Sequence, residues 1–256
     1  MLKFFRNIRQ KLITENRFSK YMVYAVGEIF LVVIGILIAL QINNWNEAHK
    51  TEQKQRDYLA LIKNEMSSNL TALRQEKEDA KGFVKSLAQM IQLKSRATDE
   101  FNEKDLSSVW GGAFSRSMRF QYENGTLTEL ISSGGLKDIT NDSIRHILAS
   151  IDSKVQRIAE QEQEVNNYIQ DGNNYLQQHG NVRVVIDNNG GNDWWEIDTL
   201  KTPKSNQFLL DSQEFENIVV FSIGTGKNLY QSYYSRLEQD IITLIRLIEK
   251  ELGDSN

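Results

Sequence analysis

Apolar residues along this chain fall into two kinds of run. One is continuous. From Tyr21 to Ile42 the sequence reads YMVYAVGEIFLVVIGILIALQI, with one charge, Glu28, and one late amide, Gln41. The other kind is periodic. Leu59, Ile62, Met66, Leu70, Leu73, Ala80, Val84, Leu87 and Ile91 form one stripe. Ile144, Ile147, Ile151, Val155, Ile158, Val165, Ile169 and Leu176 form a second, and Phe215, Ile218, Leu229, Tyr233, Leu237, Ile241, Leu244 and Ile248 a third. Steps of three and four put side chains on one face of an α-helix. A continuous run of about 20 apolar residues is what a helix needs to cross a bilayer.

The pattern therefore predicts an all-α protein. A single transmembrane helix leads into an elongated antiparallel helical bundle of three long helices, roughly 43–95, 141–178 and 211–252. Shorter pieces, near Lys104–Ser117 and Thr126–Ser133, separate the first two. One segment departs from the helical period. VRVVI (Val182–Ile186) and WWEID (Trp194–Asp198) are β-prone and flank DNNGGND, which predicts a small β-hairpin insertion at 182–198. The domain layout is then 1–20, a basic segment; 21–42, the transmembrane helix; and 43–256, the helical-bundle ectodomain with its hairpin. If the first long helix runs out from the membrane and the second returns, the hairpin lands at the membrane-proximal end. Trp194 and Trp195 then become candidate contacts for the bilayer or for a partner, because tryptophan favours boundaries between apolar and wet surroundings.

Between the first two long helices, Glu129–Asn141 combines Ser133, Gly134 and Gly135 with Asn141. A glycine there would end one helix in the left-handed conformation, and Asn141 or Asp142 would cap the next. That makes the segment a structural loop rather than a ligand site.

Charge adds orientation. Residues 1–20 carry Lys3, Arg6, Arg9, Lys11, Arg17 and Lys20 against Glu15 alone, while the flank 43–57 is balanced. The positive-inside rule makes the N-terminal side cytoplasmic and puts the bulk of the chain outside, which is the periplasm of a bacterial inner membrane if the host is Gram-negative. Tyr21, Tyr24 and Trp45 sit where interfacial anchors belong. Phe4, Phe5, Ile8, Leu12 and Ile13 fall on one face of a short interfacial helix, with a disordered basic tail as the alternative. A cleaved signal peptide is the rival to the anchor, but its apolar core runs only about 7–15 residues. Six of the 30 Lys and Arg residues, but only two of the 34 Asp and Glu residues, lie within 1–42, so the remainder carries a net charge of about −8. An acidic surface of that kind excludes nucleic acid as a partner. The absence of cysteine excludes disulfides, thiolate metal sites and a lipidated cysteine.

Chemical motifs are sparse. Asp187, Asn189 and Asp193 lack calcium-loop spacing, because Gly191 stands at the third ligand position and Asn192 where the glycine belongs. Gly224-Thr225-Gly226-Lys227 lacks the first glycine of a phosphate loop and follows no strand, so a local bend in the helix explains it better. His49, His146 and His179 are isolated. No catalytic residue, metal site or cofactor is predicted. Within the span, Glu28, Gly35 and Ala39 share a helix face. Small residues there allow close packing, and an intramembrane carboxyl usually faces protein or water. The face predicts a homo-oligomer or a protein partner held through the transmembrane helix, in addition to membrane lipid.

YAVGEIFLVVIGILIALQINNWNE (Tyr24–Glu47) closely resembles the anchor of an uncharacterised bacterial family, domain of unknown function 6090. MLKFFRNIRQKLITENRFSKY resembles its N-terminus, TELISSGGLKDITNDSIR (Thr128–Arg145) its second signature, and LLDSQEFENIVV and LIRLIEKEL its C-terminus. The resemblance implies a membrane-anchored protein of Gram-negative bacteria and carries no activity. Three functions fit: a non-enzymatic envelope scaffold or regulatory partner of another membrane protein, a helical periplasmic sensor signalling through a partner, or an enzyme built on scattered carboxylates such as Glu129, Asp138 and Asp142. The first rests on the most residues, because nothing spaces the carboxylates for catalysis.

Overall fold

The computed structural model describes residues 18–94 and 102–253, and the segment 1–17 with its expected interfacial helix lies outside them. The chain forms two compact units, divided between Arg56 and Asp57. The described part of the first is helical throughout and belongs to α1 (Phe18–Lys94). One stretch of that helix is long and apolar enough to cross a membrane, and none of its most apolar window is buried by protein. Val23, Leu31, Leu37 and Ile42 are all exposed.

The second unit is built on three long helices. The first is α1 beyond Asp57. After α2 (Glu103–Phe114) and α3 (Gly125–Ser132) comes α4 (Asp142–His179), then the short α5 (Val182–Asn188) and α6 (Asn192–Trp195). The third long helix is α7 (Gln213–Asn228), a π turn over Leu229–Tyr234, and α8 (Ser235–Gly253). Cross-helix pairs fix their directions. Lys63 meets Glu249, Lys77 meets Glu238 and Lys94 meets Glu216, so the third helix runs antiparallel to α1. Lys154 meets Asp240 and the Tyr168 ring stacks on Phe221, so it is antiparallel to α4 as well. It follows that α1 and α4 are parallel to each other.

A parallel pair needs a connection that returns along the bundle, and residues 115–124 provide it in extended form. Arg116 meets Glu76, Glu123 meets Asn69, the Thr126 amide meets Glu65, and Glu129 meets Tyr58. Each step forward in this strap is a step back along α1. The sequence expectation assigned the return to α4 and so put the 182–198 segment at the wrong end of the bundle. That segment packs on α2, where Asn188 Nδ2 donates to Ser107 Oγ at 3.0 Å and Asn189 Nδ2 to the Ser107 carbonyl at 2.8 Å. In turn α2 lies against Ser86, towards the end of α1 at Lys94, while Gly134 and Gly135 follow α3 at the Tyr58 end.

The expected β-hairpin is absent, and no strand occurs among the described residues. Val182–Asn188 is helical, with Val184 buried and Val182 and Val185 packed on the core. A lone two-stranded hairpin is marginal in water, and this one would have had no sheet to join. The Asn-Gly-Gly sequence read as its turn is instead a helix terminator. Gly190 takes φ 72°, its N–H donates to Asp187 O, and the Gly191 N–H donates to Ile186 O at 2.9 Å. Those two bonds make a Schellman cap.

At the other end of the unit Gly134 takes φ 72° after α3, and the Asn141 side chain accepts from the Ser143 and Ile144 amides at the start of α4. Gly134→Val puts a β-branched residue in the left-handed region and lowers the unfolding free energy by about 1–2 kcal/mol. Denaturant titration of the full chain in a non-ionic detergent checks this, and Gly134→Asn serves as the tolerated substitution.

Candidate functional site

The chemistry of the bundle interior concentrates where the strap is held. An extended segment with no neighbouring strand must satisfy its backbone groups some other way. Here side chains do so. Asn166 Nδ2 donates to the Met118 carbonyl at 2.9 Å and its Oδ1 accepts from the Met118 amide at 2.8 Å. Asn69 does the same for Glu123, at 2.6 and 2.8 Å. Glu162 Oε1 accepts from the Phe120 amide at 2.7 Å, and Asn173 donates to the Phe114 carbonyl at 2.8 Å. A third asparagine repeats the device elsewhere: buried Asn206 pairs with both the N–H and the C=O of Asn181.

Glu162 is the centre of this arrangement. It is 5% exposed and accepts from both Tyr234 Oη, at 2.6 Å, and the Phe120 amide. Burial pushes its carboxyl above the usual range, opposed by those two donors and by Arg119. Burial, then the adjacent Glu162, pushes the Tyr234 phenol well above its ordinary value. Burial likewise raises Glu76, against the pull of Arg116, which pairs with both Glu76 and Asp79. Glu238 shows the opposite behaviour, held low by hydrogen bonds from Lys77 and Arg74. The Glu162 oxygen is occupied by two donors in a dry setting, which makes it a fastener for the strap.

None of these residues stood out in the sequence, yet signals were present. The second apolar stripe skips from Ile158 to Val165, and Glu162 occupies the helical position between them. Asn69 likewise falls on the face of Met66 and Leu73. A charged or amide residue inside an apolar stripe calls for a partner. In the third helix the buried positions step by three or four from Phe215 to Leu229 and from Tyr234 to Ile248, but by five between Leu229 and Tyr234. The extra residue is the π turn, and it buries Tyr234 where the sequence stripe placed Tyr233.

The sequence candidates are scattered. Glu129 accepts from Tyr58 Oη at 2.9 Å, and Asp142 pairs with Arg145 one turn on. Among the described residues no group of three potential ligands could hold a metal ion. Gly226 is buried against Val84 and Phe83 of α1, so the glycine of Gly224-Thr225-Gly226-Lys227 serves close helix approach. At Gly35 nothing lies within 4 Å of where a Cβ would stand. Trp45 is exposed and stacks with His49 at 6.1 Å, whereas the side chains of Tyr21 and Tyr24 are outside the described set. Trp194 is 81% exposed and Trp195 is exposed beside it, their rings edge to face at 5.5 Å.

A family model matches residues 28–165, more than half of the chain, from the apolar run through α1, the strap and α3 into α4. The chain belongs to this family of unknown function, DUF6090. The match to DUF6090 takes in Asn69 and Glu162 of the strap clasp and stops before the 182–198 segment and the third helix. No curated protein and no solved structure matches the chain.

Proposed function

We propose that this protein is a single-pass, membrane-anchored envelope protein without enzymatic activity, which holds its helical bundle beside another membrane protein as a scaffold or regulatory partner. The observation carrying this reading is the apolar window of α1, none of which is buried by the rest of the chain. Apolar surface in water costs about 25 cal/mol per Å2, and a lipid bilayer removes that cost for a helix of this length. The strap clasp supports a non-enzymatic reading, because the perturbed carboxyl and phenol are consumed by hydrogen bonds that organise the fold. Glu28, Gly35 and Ala39 support association within the bilayer, with a second copy or with the partner. The basic excess before the span supports a cytoplasmic N-terminus and a periplasmic bundle at a bacterial inner membrane.

Alkaline carbonate extraction of membranes tests the anchor. The full chain stays in the pellet at its uncleaved mass, and deletion of residues 21–42 moves it to the soluble fraction. Release of the full chain, or loss of its first residues from the mature protein, overturns the anchor. The natural absence of cysteine gives a clean background for topology. Ser153→Cys, on the exposed face of α4, reacts with a membrane-impermeant maleimide from the periplasmic side. Protection of that cysteine until the inner membrane is broken reverses the orientation.

A further inference from the structure

Beside the π turn, α4 and the third long helix border an open groove of about 950 Å3. Lys154 and Arg157 line it from α4, and Arg236, Asp240, Asn228 and Ser232 from the third helix. Ile158 and Leu237, both core residues, and Tyr233 add apolar contact. A volume of this size suits a small molecule rather than a folded partner.

The charge in the groove runs against the acidic balance of the unit. Lys154 Nζ sits 2.7 Å from Asp240 Oδ2. Arg157 and Arg236 make no ion pair among the described residues, although carboxylates are abundant along both helices. Three cations against one carboxylate leave the groove with two uncompensated positive charges, both guanidinium. Guanidinium groups bind phosphate and carboxylate through paired N–H donors. A phosphate monoester carries about −1.5 to −2 charges near neutral pH, which matches two free arginines better than a single carboxylate does. Polar donors adjoin. Asn228 Nδ2 reaches Gln161 Oε1 at 3.3 Å, and Gln161, almost fully buried beneath it, keeps an Nε2 with no acceptor among the described residues. The π turn itself is a departure from α-helical bonding that recurs at functional sites, and here it contributes Ser232 and Tyr233 to the groove.

We propose that this groove is a phosphate-binding site, in which Arg157 and Arg236 grip the phosphate from opposite helices and Lys154 shares its charge with Asp240. Tyr233, half-buried at the groove above the core residues Ile158 and Leu237, receives an apolar substituent on the phosphate. The assignment is independent of the anchor and of the absence of catalysis.

Isothermal titration of the full chain in a non-ionic detergent tests it, with inorganic phosphate, hexyl phosphate and hexyl sulfate as probes. Hexyl phosphate gives saturable binding that weakens at least tenfold in Arg157→Gln/Arg236→Gln. Lys63→Gln/Arg74→Gln, which removes the same charge outside the groove, leaves it unchanged. Equal affinity for inorganic phosphate identifies a free phosphate as the natural source, and a clear preference for the hexyl ester identifies a phosphorylated amphiphile such as a lipid headgroup with its chain. The proposal fails if hexyl phosphate does not saturate, if the groove variant binds as the wild type does, or if the monoanionic hexyl sulfate binds equally well.

Discussion

Glu162→Ala lowers the unfolding free energy of the helical unit by about 2–6 kcal/mol, because it orphans two buried donors at once, the Phe120 amide and the Tyr234 hydroxyl, at about 1–3 kcal/mol each. Tyr234→Phe removes one donor and leaves the carboxylate one partner short, so its loss is smaller. Denaturant unfolding of the full chain, followed through the buried Trp110, measures both. A loss from Glu162→Ala below that from Tyr234→Phe would mean that the strap is not held through this carboxylate.

Glu162→Gln separates charge from hydrogen bonding. Burial holds the folded-state pKa of Glu162 above its unfolded value. Between those two values the folded protein binds more protons than the unfolded chain, so the stability that Glu162 contributes falls as pH rises through that window. Glu238 has the opposite sign. Its pKa is lowered by Lys77 and Arg74, so its contribution is present above the ordinary carboxylate range and lost as pH falls through the lowered value. Glu76 is raised like Glu162, so the raw pH profile of the wild type is a mixture. The difference between wild type and Glu162→Gln isolates one group: the variant gains relative to wild type as pH rises from the ordinary carboxylate range towards neutral. A difference that does not change with pH would contradict the assignment.

The three long helices were legible because their stripes are long and each buries one face, which is what hydrophobic periodicity reports. Their directions were not legible, since periodicity carries no sign. Direction is set by the strap, whose nine or so residues are neither periodic nor rich in turn formers. Its backbone partners lie far away in sequence, in Asn69, Glu162 and Asn166. The hairpin was misread for a related reason. Asn-Gly-Gly supplies a left-handed residue, and both a tight hairpin turn and a Schellman cap require one. What decides between them is Ser107 on α2, which accepts from Asn188 and Asn189 and holds the segment as a helix end. The π turn was legible in principle, as a five-residue step in an otherwise regular stripe. Placing Tyr233 on the stripe concealed it.

Gly226→Ala and Gly224→Ala have opposite effects, although only Thr225 separates the two glycines. A Cβ at Gly226 would lie 2.7 Å from Val84 Cγ2 and 2.9 Å from the Phe83 ring, both on α1. Phe83 is 1% exposed and packed within the core. Overpacking of that kind costs about 1–3 kcal/mol. At Gly224 nothing lies within 4 Å, and alanine there gains about 0.8–1 kcal/mol of helix propensity. Gly172→Ala repeats the Gly226 case between α4 and α2, with the added carbon overlapping the Phe114 ring and Trp110 packed against that ring at 5.2 Å. The side chains nearest the added carbon differ, Phe114 at Gly172 and Val84 and Phe83 at Gly226, so the losses add in the double variant. Unfolding of the four variants alongside the wild type checks the set. Destabilisation by Gly224→Ala equal to that by Gly226→Ala would mean that Gly224-Thr225-Gly226-Lys227 is kept flexible for its own sake. A gain at 224 with a loss at 226 leaves helix approach as the reason for the second glycine, with no phosphate loop required.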